Sequence, residues 1–160
     1  MNAYDLLVRL RTRPMIGRLA YLALKVLGVE LPRSVKVGRN LYLVHGGFGV
    51  VIHPMTVIED DVRIYPGVTV GRGDVYRSAS ESRFEGLVIR SGAILGAGAK
   101  ILCSEGVLVV GRDSVIGANA VLTQSTGDGE IWAGVPARVI GCVDERYRTH
   151  CLSCRADEAE

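Results

Sequence analysis

A six-residue alternation of apolar and polar positions runs through most of this chain. Segment 50–70, VVIHPMTVIEDDVRIYPGVTV, carries a branched aliphatic residue at every sixth position and a second apolar or small residue two positions earlier. The aliphatic positions of all matching units are Ile52, Ile58, Ile64, Val70, Ile89, Leu95, Ile101, Val110, Ile116 and Leu122. A repeat of fixed period indicates a solenoid, whatever the local propensities are.

The period of six predicts short strands joined by corners. Residues two apart on a strand point the same way, so each unit turns two side chains toward one interior. Glycine follows the aliphatic residue at Gly71, Gly96 and Gly117, and glycine tolerates the backbone angles of a tight corner. A period of six does not keep one face of a 3.6-residue helix. Three such sides close one coil, so the pattern predicts an all-β parallel β-helix with a buried aliphatic core.

The repeat is interrupted at three places. It slips by three residues at HGGFG (45–49), it stops for the polar loop 71–86, and it gains three residues at LCSEG (102–106). Long loops without a repeat are uncommon in a compact domain and often carry function. We therefore expect the catalytic and substrate-binding residues at these interruptions.

The segment before the repeat predicts a short helical region. Residues 3–28 carry leucines at helical spacing, and Pro14 separates two pieces. The expected division is a helical cap (1–33), a β-helix domain (34–142) and a polar tail (143–160). The helical region is basic, which permits two interpretations. A cap over the first coil is preferred, because solenoids need covered ends. The other interpretation is weak contact with an anionic membrane surface.

Composition narrows the class of protein. The chain has 160 residues, which predicts one domain. A net charge of +2 gives no indication of a nucleic-acid partner. The chain shows neither a membrane-spanning apolar run nor a signal-peptide core, so a cytoplasmic location is expected.

Four cysteines are expected to be reduced thiols. A zinc site from Cys142, His150, Cys151 and Cys154 is a weaker interpretation, and no metal is expected.

The motifs HGGFGVVI, IYPGVTVG, ILGAGAKIL and AGVPARVIG resemble those of the serine acetyltransferase family of hexapeptide-repeat acyltransferases, over roughly residues 34–142. The short helical segment is more similar to the layout of small O-acetyltransferases of exopolysaccharide clusters, such as the colanic acid acetyltransferases. The resemblance implies a left-handed coil, a homotrimer and acetyl-CoA bound in the groove between neighbouring coils. It also implies direct acetyl transfer to an acceptor hydroxyl, without an acyl-enzyme.

The resemblance assigns the catalytic base to His45. A hydroxyl needs a base of near-neutral pKa to attack a thioester, and imidazole has one. The alternative is that His45 only caps a turn. Two positions depart from the family pattern. Val44 stands where an Asp precedes this His, and Phe84 follows Arg83 where the family has a second His. Arg83 is the expected contact for an anionic part of the acceptor.

The resemblance also implies four coenzyme-binding positions. The backbone at Ala97 and Ala118 would pair with the pantetheine arm, and Gly71 lies where the family's coil opens toward the thioester. Arg138 matches the nucleotide end, where a guanidinium suits phosphate. The alternative for all four positions is an ordinary role in corners and walls.

His53 is predicted to be a solvent-facing corner residue. If His45 has a carboxylate partner, the candidates are the loop acids Asp74, Glu81 and Glu85.

The sequence therefore predicts an acetyl-CoA-dependent O-acetyltransferase. A sugar or glycoconjugate hydroxyl is the first expected acceptor, which would place the protein in polysaccharide biosynthesis, and L-serine is the alternative. A non-catalytic trimer of the same fold is a third hypothesis. A metal-dependent carbonic anhydrase of this fold would need three clustered His residues, and it is the weakest hypothesis.

Overall fold

The computed structural model describes residues 3–78 and 80–144. Two helices open the chain, α1 (Ala3–Leu10) and α2 (Gly17–Val26), on either side of Pro14. Fifteen strands follow among the described residues. They are β1 (Val29–Glu30), β2 (Lys36–Val37), β3 (Tyr42–Leu43), β4 (Val50–Ile52), β5 (Thr56–Ile58), β6 (Arg63–Ile64), β7 (Thr69–Arg72), β8 (Arg83–Ile89), β9 (Ile94–Leu95), β10 (Lys100–Cys103), β11 (Glu105–Val110), β12 (Val115–Ile116), β13 (Val121–Leu122), β14 (Glu130–Ala133) and β15 (Arg138–Cys142).

The chain visits three sheets in rotation. Sheet A has the order β1-β4-β7-β10-β13, and sheet B has the order β2-β5-β8-β11. Sheet C has the order β3-β6-β9-β12-β14-β15. Neighbouring strands are parallel except for the last pair, β14 and β15. Each passage through sheets A, B and C forms one layer, as a parallel β-helix requires. Sheet A begins at Val29, inside the segment that the sequence assigned to the cap.

Strand register shows where the chain leaves its repeat. Ile52 pairs with Val70, eighteen residues later, which is three sides of six. Val70 pairs with Ile101, thirty-one residues later, because the loop between β7 and β8 adds thirteen residues to that layer. Ile101 pairs with Leu122 after twenty-one residues, and Val29 pairs with Val50 after the same number. These spacings exceed eighteen by three, thirteen and three residues, and each excess falls at one of the three predicted interruptions.

The predicted aliphatic positions form the core. Each of the ten is at most 1% exposed, and each residue two positions earlier is also buried. Full burial of a Val, Leu or Ile side chain stabilises a fold by roughly 1.5–3 kcal/mol. The stacked aliphatic side chains therefore hold the layers together.

The helical segment covers the first layer. Ala20 and Leu24 of α2 are buried, and α2 packs against β1. Gly17 allows the close turn between the helices, since a Cβ there would lie 2.3 Å from the carbonyl oxygen of Arg11. Arg11 is itself buried and donates hydrogen bonds to the carbonyls of Val8 and Val35. Burial lowers the pKa of this guanidinium to about 10. Neither described helix is long and apolar enough to cross a membrane.

Candidate active site

One edge of the solenoid collects residues from every layer. Each layer turns there from sheet C to sheet A, and we call this the C–A edge. Backbone hydrogen bonds join its successive corners: Gly67 N–H donates to Phe48, Gly98 N–H to Pro66, and Asn119 N–H to Ala97. Val121 N–H then donates to Gly134, which brings the last corner onto the same edge.

His45, Ala97, Ala118 and Arg138 are distributed along this edge. His45 lies in the first corner, Ala97 in the third and Ala118 in the fourth, and both alanines are exposed. Stacked strands are about 4.8 Å apart, so about 10 Å separates the level of His45 from that of Ala97, and about 14 Å separates it from Ala118. Arg138 follows the fifth corner, and its Nη1 donates to the carbonyl of Ala137 at 2.9 Å. Four of the six predicted site residues thus share one edge.

The first corner is a short turn that exposes His45. Val44–Gly47 forms a short kinked turn whose two middle residues, His45 and Gly46, have non-helical backbone angles; Val44 is buried and His45 is exposed. His45 has φ 50° and ψ 35°, a left-handed conformation that a non-glycine residue seldom adopts. Gly46 has φ 76°, and a Cβ there would lie 2.6 Å from Tyr4 Oη. Tyr4 of α1 therefore packs directly on this turn, and only glycine fits between them.

Two of the three suggested carboxylate partners of His45 are engaged elsewhere. Asp74 is buried, accepts a hydrogen bond from Arg72 Nε at 2.9 Å, and accepts another from Ser82 Oγ at 2.6 Å. The hydrogen bond from Arg72 holds the pKa of Asp74 below its usual range, and the bond from Ser82 acts in the same direction. Glu81 accepts hydrogen bonds from Ser78. These two acids fix the loop itself.

Gly71 and Arg83 lie at the opposite end of sheet A. This is the A–B edge, where the chain turns from sheet A to sheet B and where the long loop emerges. Gly71 pairs with Leu102, and a Cβ at Gly71 would meet no atom within 4 Å. Arg83 makes an exposed ion pair with Glu105, with 3.1 Å between Nη1 and Oε1. The three residues of β4 span about 10 Å, so in one chain the width of sheet A separates these residues from His45.

His53 is not the solvent-facing residue that the sequence predicted. It is half-buried, and its ring packs edge-on against Phe84 with a centroid distance of 4.8 Å. Its Nδ1 accepts a hydrogen bond from the backbone N–H of Met55 at 3.2 Å. Burial, and secondly the charge of Arg72, lower the pKa of His53. Burial therefore favours the neutral imidazole, and in that form an Nδ1 that accepts from Met55 leaves the proton on Nε2.

The contact between His53 and Phe84 had only a weak signal in the sequence. His53 follows β4, and Phe84 lies at the start of β8, one layer above it. The repeat places both residues near the A–B edge, but the path of the intervening loop is not periodic.

No group of three or more metal-ligating side chains occurs among residues 3–78 and 80–144. His45 and His53 lie at different edges, which is not the clustered arrangement that the carbonic anhydrase hypothesis needs. Cys142 is exposed and free. His150, Cys151 and Cys154, the other members of the suggested zinc set, lie outside the described residues.

Comparison with known proteins points to one family. The chain is 38% identical to the serine acetyltransferase of Helicobacter pylori strain J99 over 122 residues, which is 76% of this chain and 66% of the relative. It matches the structure of the Brucella abortus serine acetyltransferase in complex with coenzyme A at a TM-score of 0.68 and 32% identity, covering 88% of this chain and 54% of that one. It also matches the Neisseria gonorrhoeae serine acetyltransferase in complex with serine, at a TM-score of 0.67 and 28% identity, covering 84% and 54%.

No family model matches the chain. The chain spans 66% of the Helicobacter relative and about half of the matched structures. Sequence identity of 38% over three quarters of the chain, together with the same fold, indicates common ancestry. The chain belongs to the serine acetyltransferase-like family of hexapeptide-repeat acyltransferases.

Proposed function

We propose that this protein is an acetyl-CoA-dependent O-acetyltransferase and that L-serine is the acceptor best supported by the comparisons. The observation that carries the proposal is the alignment of His45, Ala97, Ala118 and Arg138 along the C–A edge. Serine is favoured over the sugar acceptor expected from the sequence, because the relatives are serine acetyltransferases. Those relatives give no support to polysaccharide acetylation.

The coenzyme would lie along the C–A edge, with its nucleotide end at Arg138 and its thioester near His45. Ala97 and Ala118 are exposed and small, so their backbone is accessible to the amides of a pantetheine arm. The Arg138 guanidinium is suited to the phosphate groups of the nucleotide. The binding groove would then run across the layers, perpendicular to the strands.

His45 would act as the general base. Its imidazole takes the proton of the acceptor hydroxyl while the hydroxyl oxygen bonds to the thioester carbonyl carbon. Backbone N–H groups of the glycine-rich turn stabilise the resulting oxyanion. The carbon–sulfur bond then breaks, and the imidazolium returns its proton to the thiolate. Products are the acetyl ester and free coenzyme A, with no acyl-enzyme.

The complete acceptor site would need a second subunit. We propose a left-handed coil and a homotrimer in which the A–B edge of one subunit faces the C–A edge of the next. Such packing would place Arg83, Gly71 and the 71–86 loop opposite His45. The width of sheet A, which separates these residues within one chain, supports the proposal. Arg83 would contact the carboxylate of serine, once its exposed pair with Glu105 opens.

A thiol-release assay with acetyl-CoA tests the proposal. We expect turnover with L-serine, and His45→Ala should lower kcat by about 10²- to 10⁴-fold, the range for loss of a general base. Coenzyme affinity, measured by calorimetry, should stay unchanged in His45→Ala. Arg39→Ala is the matched surface control, since Arg39 makes an exposed ion pair with Asp60 away from the C–A edge. Undiminished turnover in His45→Ala would remove His45 from the mechanism, and coenzyme binding with no turnover would favour the non-catalytic trimer.

One observation keeps a sugar hydroxyl as the second candidate. Val44 and Phe84 stand where the resemblance places the family's Asp and second His. Val44 is buried, and Phe84 packs against the core and the ring of His53. The assay therefore includes sugars and nucleotide sugars. Turnover with a sugar and none with serine would reverse the order of the two acceptors.

A further inference from the structure

Helix α2 has a second apolar face that no described residue covers. Ala20 and Leu24 lie on the face that packs on the first layer. Four other apolar residues, spaced by four, three and four positions, are between 53% and 92% exposed. We call them the apolar stripe: Met15, Leu19, Leu22 and Val26. At 3.6 residues per turn, Leu19, Leu22 and Val26 of α2 lie within about 60° of one another, on the side opposite Ala20 and Leu24.

Basic side chains border this stripe. Arg18 lies about 40° around the helix from Leu22. Lys25 lies about 60° from Leu22 on the same side, and its Nζ is in an ion pair with Glu30 Oε2 at 2.9 Å. Arg9 and Arg13 are exposed nearby in the same helical segment. Asp5 is the only acidic residue between positions 3 and 28. Arg11 is buried and Glu30 pairs with Lys25, so the exposed positive charge near the stripe comes mainly from Arg9, Arg13 and Arg18.

We propose that the apolar stripe docks on the surface of an anionic lipid bilayer. An amphipathic helix with apolar residues on one side and basic residues at its border lies in the headgroup region of such a surface. Each Lys or Arg near an anionic surface adds about 1 kcal/mol of attraction. A soluble polyanion is a less suitable partner, because it would bind the arginines but leave the four apolar residues of the stripe in water. Pairing with the stripe of a second copy would bring two basic borders together, and like-charge contacts oppose it.

Docking would place the bilayer at the His45 end of the molecule. Tyr4 of α1 packs on Gly46, the residue after His45, so the helical segment and the first corner are adjacent. Residue Arg138 lies four layers away, at the opposite end of the C–A edge. An acceptor that collects near the headgroup surface would approach from the His45 end. This consequence rests on the proposed acetyl transfer, whereas docking does not.

Co-sedimentation of the full chain with lipid vesicles tests the docking. The two vesicle types are phosphatidylcholine alone and phosphatidylcholine mixed with phosphatidylglycerol. We expect binding to the anionic vesicles, weakened by added salt, and much less binding to the neutral ones. Leu19→Ser and Leu22→Ser should each weaken binding about tenfold, as expected for the loss of one buried leucine. Arg18→Gln should weaken it about fivefold.

Val107→Ser is the matched control, because Val107 is an exposed apolar residue on β11, outside the helical segment. It should leave vesicle binding unchanged, and circular dichroism melts should show that all four variants fold. Failure of the wild-type chain to bind anionic vesicles overturns the proposal, as does equal binding by the stripe variants. A fall in molecular mass in Leu19→Ser or Leu22→Ser, with vesicle binding unchanged, also overturns it and assigns the stripe to a second copy. Turnover with a soluble acceptor should be the same in all variants, so loss of docking and loss of activity are measured separately.

Discussion

The imidazole of His53 meets the phenyl ring of Phe84 edge-on, with 4.8 Å between ring centroids and 82° between ring planes. The two residues belong to neighbouring layers, so the contact ties the returning end of the long loop to the wall beneath it. Aromatic pairs of this geometry add about 0.5–1.5 kcal/mol beyond the area they bury. Burial is the first cause of the lowered pKa of His53, and Phe84 is one of the side chains that bury it.

Replacing Phe84 should raise the pKa of His53 toward its ordinary value of 6.5. Phe84→Ala exposes the imidazole to water, which favours the charged form. NMR titration of the ring protons measures the change. Phe84→Leu is the control, because a leucine keeps an apolar neighbour and should leave the pKa low. The same pKa in wild type and Phe84→Ala would show that burial by Phe84 is not the cause.

The low pKa of His53 should make the folded state less stable in mild acid. Well above pH 6.5 the residue is neutral in both the folded and the unfolded chain, so it contributes no pH dependence. As pH falls below 6.5, the unfolded chain binds the proton first and stability declines, until the folded form is protonated as well. Thermal unfolding of wild type and His53→Gln between pH 7.5 and about pH 5 checks this. The wild type should lose more stability than the variant, and parallel curves would contradict the prediction.

Asp74 should stabilise the loop above pH 4 and lose that effect in stronger acid. Its folded pKa lies below the usual 3.8, mainly because Arg72 donates a hydrogen bond to the carboxylate. The stabilisation is therefore present above pH 3.8 and disappears as pH falls through the lower folded value. Asp74→Asn should increase hydrogen exchange across residues 73–82 at neutral pH. The difference between wild type and variant should shrink as pH falls below 3.8.

The loop acid Glu81 provides the control for that experiment. Glu81 is exposed, and its carboxylate accepts hydrogen bonds from the backbone N–H and the hydroxyl of nearby Ser78, so Glu81→Gln should change exchange only locally. Equal effects of the two substitutions would mean that the buried position of Asp74 has no special part in fixing the loop.

Gly71 should tolerate a methyl group in the free protein but not in the complex. A Cβ there would meet no atom within 4 Å, and its φ lies outside the left-handed region, so Gly71→Ala should change stability by less than about 0.5 kcal/mol. If the open space receives ligand, coenzyme or acceptor affinity should fall several-fold, as calorimetry and KM values would show. Gly141→Ala is the matched control, because a Cβ at Gly141 is equally unobstructed. Unchanged affinity in Gly71→Ala would remove this glycine from the site.

The stacked aliphatic core should respond strongly to a single truncation. Ile101 is completely buried between Val70 and Leu122 in sheet A. Ile101→Ala should lower the free energy of unfolding by about 2–5 kcal/mol, the range for such cavities. Val51→Thr is the control, since Val51 is exposed on the same sheet and threonine keeps a branched side chain. Chemical denaturation measures the free energy of unfolding of both variants. Similar losses in the two variants would contradict the placement of Ile101 in the interior and Val51 on the surface.

The layers were predictable from sequence because the period of six is a direct consequence of strand and corner geometry. Ile52 and Val70 are eighteen residues apart, and that count alone places them side by side. The hand of the coil was not predictable in this way, because the same spacing of aliphatic residues fits either hand. Only the family resemblance indicated it.

The candidate site was predictable in part. The repeat places His45, Ala97 and Ala118 at equivalent corners once the three-residue slip at HGGFG is allowed for. In the structure Gly71 and Arg83 lie at the A–B edge. The sequence interpretation had treated them as part of the same site as His45, which lies at the C–A edge. The burial of Asp74 and the packing of His53 had no periodic signal, since both depend on the path of an irregular loop. A charged residue in a polar loop is normally expected in water.

Because the C–A edge is layered, the distance between the levels of His45 and Arg138 is a whole number of coils. One additional coil of eighteen residues between His45 and Arg138 would lengthen that distance by about 4.8 Å, with both ends chemically intact. A coenzyme of fixed length could then occupy only one end at a time. If the coenzyme lies along this edge as proposed, the number of repeats between the first corner and the last sets the length of acyl donor that can reach both His45 and Arg138.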